Sequence, residues 1–175
     1  ARAAAFLLIR GGERVGLTGA QPPPRRGEAQ LIRMAQLLSQ DGTQDFGAPE
    51  TQGMLPHGRA VFVSDFLGDI DAVEASLLSA ADKGVRGALL QVIDPQEETF
   101  PFDGRTIFES MGGSITHETL KAGDLRARYL DRMAERKDRL QHLARTTGWQ
   151  FMTHHTDAPA TAALLWLYNA LERHS

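Results

Sequence analysis

Four places in the 175-residue sequence put a side chain capable of chemistry at the end of an apolar run: Thr18, the pair Ser64-Asp65, Asp94, and the pair His154-His155. Two carboxylates such as Asp65 and Asp94, brought to one edge of a sheet, could hold a hard divalent cation through oxygen ligands. A histidine beside them could add a base or a further ligand. Neighbouring residues on a strand face opposite ways, so at most one of His154 and His155 can join such a site. With a metal and a histidine base, the set would suit a phosphatase-like hydrolase.

Each of these residues has a plainer role to set against the chemical one. Aspartate at a strand end also starts turns and caps helices, which is the expectation for Asp94 and, by a narrower margin, for Asp65. For the histidines the expectation is a packed or solvated ring. The sequence holds no G-x-S-x-G, no G-x-x-x-x-G-K-[ST], no H-E-x-x-H and no G-x-G-x-x-G, so the common nucleophile and nucleotide-binding classes lose support. Arginines at 126, 128, 132, 136 and 139 could form a docking patch for an acidic partner. Asp124, Asp131, Glu135 and Asp138 are interspersed among them at helical spacing, and a solvated, salt-laced helix face is expected instead.

The elements that must position these residues follow from periodicity and breakers. Residues 1–10 read as a helix stopped by Gly11-Gly12. A short strand is expected over 13–19, then a break at "QPPPRRGEAQ", then an amphipathic helix over 28–39 with Leu31, Met34, Ala35 and Leu38 on one face. Residues 39–58 lack periodicity and predict a long surface loop.

"AVFV" within 59–64 is continuous rather than alternating, as expected of a central parallel strand covered on both faces. The next helix buries Ile70, Val73, Leu77, Leu78 and Ala81, with Asp69 or Asp71 as N-cap and Gly84 as stop. "RGALLQVID", 86–94, is a second buried strand. "RTIFESM" and "SITHETL" around Gly112-Gly113 predict a hairpin on the sheet edge. A long helix over 123–146 should turn Leu125, Tyr129, Met133, Leu140 and Leu143 inward. "WQFMTHH" is a last strand, and Asp157 caps a closing helix that carries Leu164, Leu165, Leu167, Tyr168 and Leu171.

Strand and helix alternate, which predicts an α/β fold: a doubly wound, mostly parallel sheet with helices on both faces. In such sheets ligands sit beyond the carboxyl ends of the strands, where the four candidate positions fall.

At 42% hydrophobic and 23% charged, the chain can bury the core of a single domain spanning 1–175. A formal charge of −3 gives no footprint for general nucleic-acid binding. Cysteine is absent, so thiolate chemistry is excluded, and the composition fits a cytoplasmic setting. No membrane segment is expected in this chain. It opens on Ala1 within a helical pattern, which suggests the C-terminal part of a longer protein, one that a segment outside this chain could attach to a membrane.

"RGGERVGL" at 10–17, "VSDF" at 63–66, "QVIDPQEETFPFDG" at 91–104 and "RARYLDRMAERKDRL" at 126–140 together resemble a bacterial family, the domain of unknown function 58, DUF58. The C-terminal half of that family is similar to a von Willebrand factor A domain, a Rossmann-like α/β fold. The resemblance implies a metal-ion-dependent adhesion site for Mg²⁺, built from D-x-S-x-S after the first strand, a threonine from a later loop and an aspartate after the fourth strand.

Asp65 corresponds to that last aspartate, and Thr43 is a substitute for the threonine. No D-x-S-x-S occurs in the sequence, so the first central strand of that fold is expected to be missing from this chain and the site to be incomplete. Asp65 would be a metal ligand only if the motif preceded Ala1, because one aspartate cannot hold a magnesium ion, which needs about six oxygens. As it stands the chain is expected to carry no cofactor. Ser64, Asp94 and His154 remain further site candidates. The resemblance implies a non-catalytic protein-interaction module, with a MoxR-type AAA+ ATPase as partner in chaperone-like assembly, and the metal-dependent hydrolase as the alternative.

Overall fold

The computed structural model describes residues 2–20, 23–40, 49–99, 106–109, 116–119 and 122–172, with the backbone alone at 40, 106–109, 116–119 and 122–125. In chain order the elements are α1 (Arg2–Arg10), α2 (Glu28–Gln40), β1 (Arg59–Ser64), α3 (Ile70–Asp82), β2 (Arg86–Ile93), α4 (Pro95–Thr99), β3 (Thr106–Glu109), β4 (Thr116–Thr119), α5 (Ala122–Thr147), β5 (Gln150–His155) and α6 (Ala160–Glu172).

The sheet is an open, three-stranded, parallel one in the order β1-β2-β5. Its register sets Val61 opposite Ala88 and Leu90 opposite Met152. β2 lies in the middle, and Gly87 through Gln91 are all buried, as its unbroken apolar run requires. β1 corrects an expectation, since it lies at the edge and not at the centre. Of its residues only Phe62 is buried, and Val63 is 42% exposed. A continuous apolar run shows that a strand is covered on its faces, but it does not show how many strands flank it.

Strand alternation divides the core into two layers. On one face Ala60, Phe62, Leu89 and Phe151 pack with Val73, Leu77 and Ala80 of α3 and Leu140, Leu143 and Ala144 of α5. Trp149 closes this layer, its ring centroid 5.0 Å from that of Phe62 and its Nε1–H donating to the Val85 carbonyl at 3.1 Å. On the opposite face Val61, Ala88, Leu90, Val92 and Met152 meet Ala163, Leu167 and Ala170 of α6, with Ala4 of α1 packed against them. The chain is therefore α/β with helices on both faces of a small parallel sheet.

The helix signals hold where local chemistry decides them. α3 starts at Asp69, whose side chain accepts the Asp71 N–H at 2.9 Å. It stops at Gly84, where Val85 N–H reaches back to the Ala80 carbonyl and glycine takes the required φ of 69°. The same pairing, Glu13 N–H to Leu8 O, ends α1.

Other expectations fail. Instead of a strand over 13–19 there is a single antiparallel bridge, Val15 to Arg25, so Thr18 lies exposed on a turn and not at a strand end. β3 and β4 pair antiparallel as foreseen, but they form a separate two-stranded sheet rather than an edge of the main one. The turn between them, like residues 41–48 of the long loop, lies outside the described residues. α6 begins three residues past Asp157, too far for that side chain to be its cap. Its buried face is Ala163, Leu167 and Ala170, while Leu165 and Tyr168 are 66% and 53% exposed. Small residues let α6 lie close against the sheet, whereas large ones at intervening positions turn outward. No helix among the described residues is long and apolar enough to cross a membrane.

Candidate functional site

The carboxyl ends of β1, β2 and β5 come to one edge, and each carries a polar side chain there. At the end of β1 the chain turns through Ser64 to Asp69 in a tightly bonded loop. Ser64 Oγ accepts the Phe66 N–H at 3.0 Å, and Asp65 Oδ1 accepts the Leu67 N–H at 2.9 Å. These are the short-range turns that serine and aspartate favour, and they force the residue between them into unusual backbone. Phe66 has φ 55°, a left-handed value rare for a bulky side chain, yet its ring is only 2% exposed. Burial of the phenyl group in the α3–α5 layer holds that conformation.

Two further side chains fasten this loop. Arg136 of α5 reaches across so that its Nη1 donates to the Phe66 carbonyl at 2.7 Å and also to the Gly68 carbonyl. Gln91, 1% exposed in the middle of the sheet, donates from Nε2 to the Asp65 carbonyl at 3.1 Å. Its Oε1 in turn accepts the Thr153 hydroxyl from β5 at 3.1 Å. A buried amide must be satisfied on both sides, and here the satisfaction ties all three strand ends together. The product is a rigid loop on which the Asp65 carboxylate stands exposed.

Asp94 serves a different purpose. Its Oδ1 accepts the Gln96 N–H at 2.8 Å and its Oδ2 accepts the Thr156 hydroxyl at 3.0 Å. Glu97 returns a carboxylate to the Asp94 N–H at 3.0 Å, which completes a reciprocal capping box for α4 with Pro95 at the first helical position. Both Asp94 oxygens are thereby engaged in holding β2, α4 and the end of β5 together.

Of the two histidines it is His155 that meets partners. Its Nε2 lies 2.7 Å from Glu98 Oε2, and Glu98 Oε1 pairs with Lys137 Nζ of α5 at 3.1 Å. Burial alone would push the Glu98 carboxyl up, but hydrogen bonds from His155 and Lys137 outweigh it and hold the group below the ordinary carboxylate value. His154 is half-buried and by strand alternation belongs to the α6 side, with no bond to the other candidates. Tyr129 of α5 looks onto the same edge. Its hydroxyl is pushed up by burial, then by the negative charges of Glu97 and Asp65.

The candidates thus divide. Ser64 and Asp65 share one loop, Asp94 is a cap, His154 stands apart and Thr43 lies outside the described residues. Among the described residues no three His, Asp or Glu side chains stand close enough together to share a cation. They do not by themselves fit the magnesium ion that an adhesion site of this type would hold.

Four contributors are not singled out by sequence reasoning. Gln91 had a signal, a lone polar residue inside "ALLQVI" that burial obliges to find partners. Glu98 lies just past an Asp-Pro-x-Glu capping box, and the cap expected at Asp94 is the signal that could have placed it on a helix. Arg136 and Arg139 gave none, because their spacing matches a solvated face. In the structure Arg139 instead ties α5 to Glu74 and Asp71 of α3.

Residues 1–139 match the model of a protein family described as "Protein of unknown function DUF58". The chain belongs to the DUF58 family. Neither a curated protein nor a solved structure matches it. The family match takes in the Asp65 loop, Gln91, the Asp94 capping box, Glu98 and Arg136, and it ends before Thr153 and His155.

Proposed function

We propose that this DUF58 chain is a non-catalytic protein-interaction module of von Willebrand factor A type, and that its partner engages the strand-end surface around Asp65. One observation carries the reading: an exposed carboxylate is mounted on a loop that Arg136, Gln91 and the buried Phe66 hold in a strained conformation. Strain of this kind, of order 1–3 kcal/mol, persists where surroundings over-determine the backbone, and it is common at binding sites. A preorganised loop loses little entropy on binding and so favours affinity.

The partner to test first is a MoxR-type AAA+ ATPase, in chaperone-like assembly. Asp65→Ala should abolish capture of the cognate ATPase in a pull-down while leaving the far-UV circular dichroism spectrum unchanged and lowering the urea midpoint only slightly, through the lost Leu67 N–H bond. Undiminished capture by a folded Asp65→Ala protein overturns the reading.

A second reading, a phosphatase-like hydrolase, draws on the His155–Glu98 contact, since a carboxylate so placed orients an imidazole as a general base. It predicts turnover of a generic phosphomonoester with added divalent ions, lost in His155→Ala. Absence of turnover with Mg²⁺, Mn²⁺ and Zn²⁺ removes it.

A further inference from the structure

α1 and α2 carry apolar surface that the core does not use. Between them lies an open groove of about 330 Å³, lined by Ala5, Phe6, Leu31, Met34 and Leu38. Phe6 in its wall is 45% exposed, and elsewhere on the same two helices Leu7 is 44% and Ile32 57% exposed. An apolar groove beside large exposed apolar side chains is the mark of a contact site.

The charge around this surface is one-sided. Residues 1–40 hold six arginines, no lysine and two glutamates, in a chain whose total charge is −3. Backbone bonds of 3.0 and 3.1 Å between Val15 and Arg25 pair the segments that carry Arg14 and Arg25-Arg26, which places Arg14 and Arg26 opposite one another. Buried Gln30 of α2 donates to the Val15 carbonyl at 2.8 Å and so fastens this bridge to the helix that walls the groove. Arg33 stands one turn further along α2, and the Arg10 guanidinium lies 5.2 Å over the Phe6 ring. Arg14, Arg25, Arg26 and Arg33 are exposed, and among the described residues none of them makes an ion pair or a side-chain hydrogen bond.

We propose that the α1–α2 groove receives an acidic amphipathic helix from a partner protein. Apolar side chains at i, i+3 or i+4 and i+7 of that helix fill the groove, and glutamates or aspartates on its flanks meet the arginines. Guanidinium groups pair carboxylates in a two-point geometry that lysine cannot match, in keeping with a segment whose basic residues are all arginine, among them Arg2 in the groove wall and Arg10 over Phe6. Two other polyanions fit less well. A membrane offers no ridge to enter a groove, and a single-stranded nucleic acid would need open rings on which to stack, whereas the one ring here lies under Arg10. This surface is separate from Asp65 and stands whether or not that loop binds a partner.

The test is fluorescence anisotropy of labelled peptides of about 18 residues with the 175-residue chain. One peptide has leucines at i, i+4 and i+7 among glutamates, a second is its scrambled isomer, and a third replaces the glutamates by lysines. The patterned acidic peptide should bind, and the other two should bind roughly tenfold more weakly or not at all. The double variant Arg14→Glu/Arg26→Glu and the single variant Phe6→Ser should each weaken the acidic peptide by roughly tenfold with an unchanged urea midpoint. Equal binding of patterned and scrambled peptides, or indifference to the arginine reversal, overturns the proposal. So does sedimentation of the chain with phosphatidylcholine–phosphatidylserine vesicles without any binding of the acidic peptide.

Discussion

Replacing Arg136 by alanine removes the tie between α5 and the Asp65 loop, and its cost can be worked from the contacts. The guanidinium gives two charge-assisted hydrogen bonds through one nitrogen, to the Phe66 and Gly68 carbonyls. Bonds to a charged group contribute about 1.5–3 kcal/mol each when both partners are buried. Here the arginine is half-buried, so water screens the charge and can rehydrate the freed carbonyls. The loop can also relax part of the strain stored at Phe66, which reduces the loss further.

These terms leave a net destabilisation of about 2 kcal/mol, or a fall in Tm of roughly 4–8 °C for a chain of this size. Urea and thermal unfolding followed by circular dichroism measure it. Arg126→Ala, on the exposed start of the same helix, is the control and should lie within about 0.5 kcal/mol of wild type. Amide exchange at Leu67, whose N–H is held by Asp65 Oδ1, should accelerate in the Arg136 variant alone. Equal stability of the two variants, or unchanged Leu67 protection, refutes the view that Arg136 fastens this loop.

Three further outcomes follow from single contacts. Glu98 is held below its ordinary carboxyl value of 4.5, so its contribution to stability is present above that pH and lost as the pH falls through the folded value; Glu98→Gln should flatten the acid limb of the urea midpoint as the pH falls below 4.5, and an unaltered limb would count against the His155–Glu98–Lys137 cluster. A methyl group at Gly87 would run into the Ala60 carbonyl oxygen of the paired strand, so Gly87→Ala should cost about 3 kcal/mol or prevent soluble expression, and a normal urea midpoint would contradict that packing. Asp94→Ala loses the α4 cap and the Thr156 bond and should cost about 1–2 kcal/mol in urea titration, whereas Asp94→Asn, whose Oδ1 still accepts the Gln96 N–H while its amide can donate to the Thr156 hydroxyl oxygen, should recover most of it; equal loss in the two would point away from capping.

Much of the architecture was legible because its causes are local. Val73, Leu77 and Ala80 recur at the spacing of one helix face, and Asp69 and Gly84 close that helix through bonds to residues at most five positions away. The parallel pairing of 59–64 with 86–93 follows from strand, helix and strand joined by short links. The position of β1 in the sheet did not follow, because a neighbour across an edge is set by segments distant in sequence. α6 was misjudged for a related reason, since hydropathy counts Leu165 and Tyr168 as core whereas close approach to the sheet selects Ala163 and Ala170.

The candidate site divides along the same line. The sequence alone determined the residue types at the strand ends, the turn-forming habit of Ser64 and Asp65 and the capping box at Asp94, each of which needs only a few neighbouring residues. Only the tertiary structure decided that Asp65 stands on a fastened loop, that Gln91 and Thr153 join it to the other strands, and that His155 rather than His154 faces Glu98. It also took Arg136 from an apparently solvated row and set it 68 and 70 residues away in sequence, against Gly68 and Phe66. The reason is physical: a helix spacing shows which residues share a face, but the partner that a charged side chain finds depends on what the folded chain brings within reach of it.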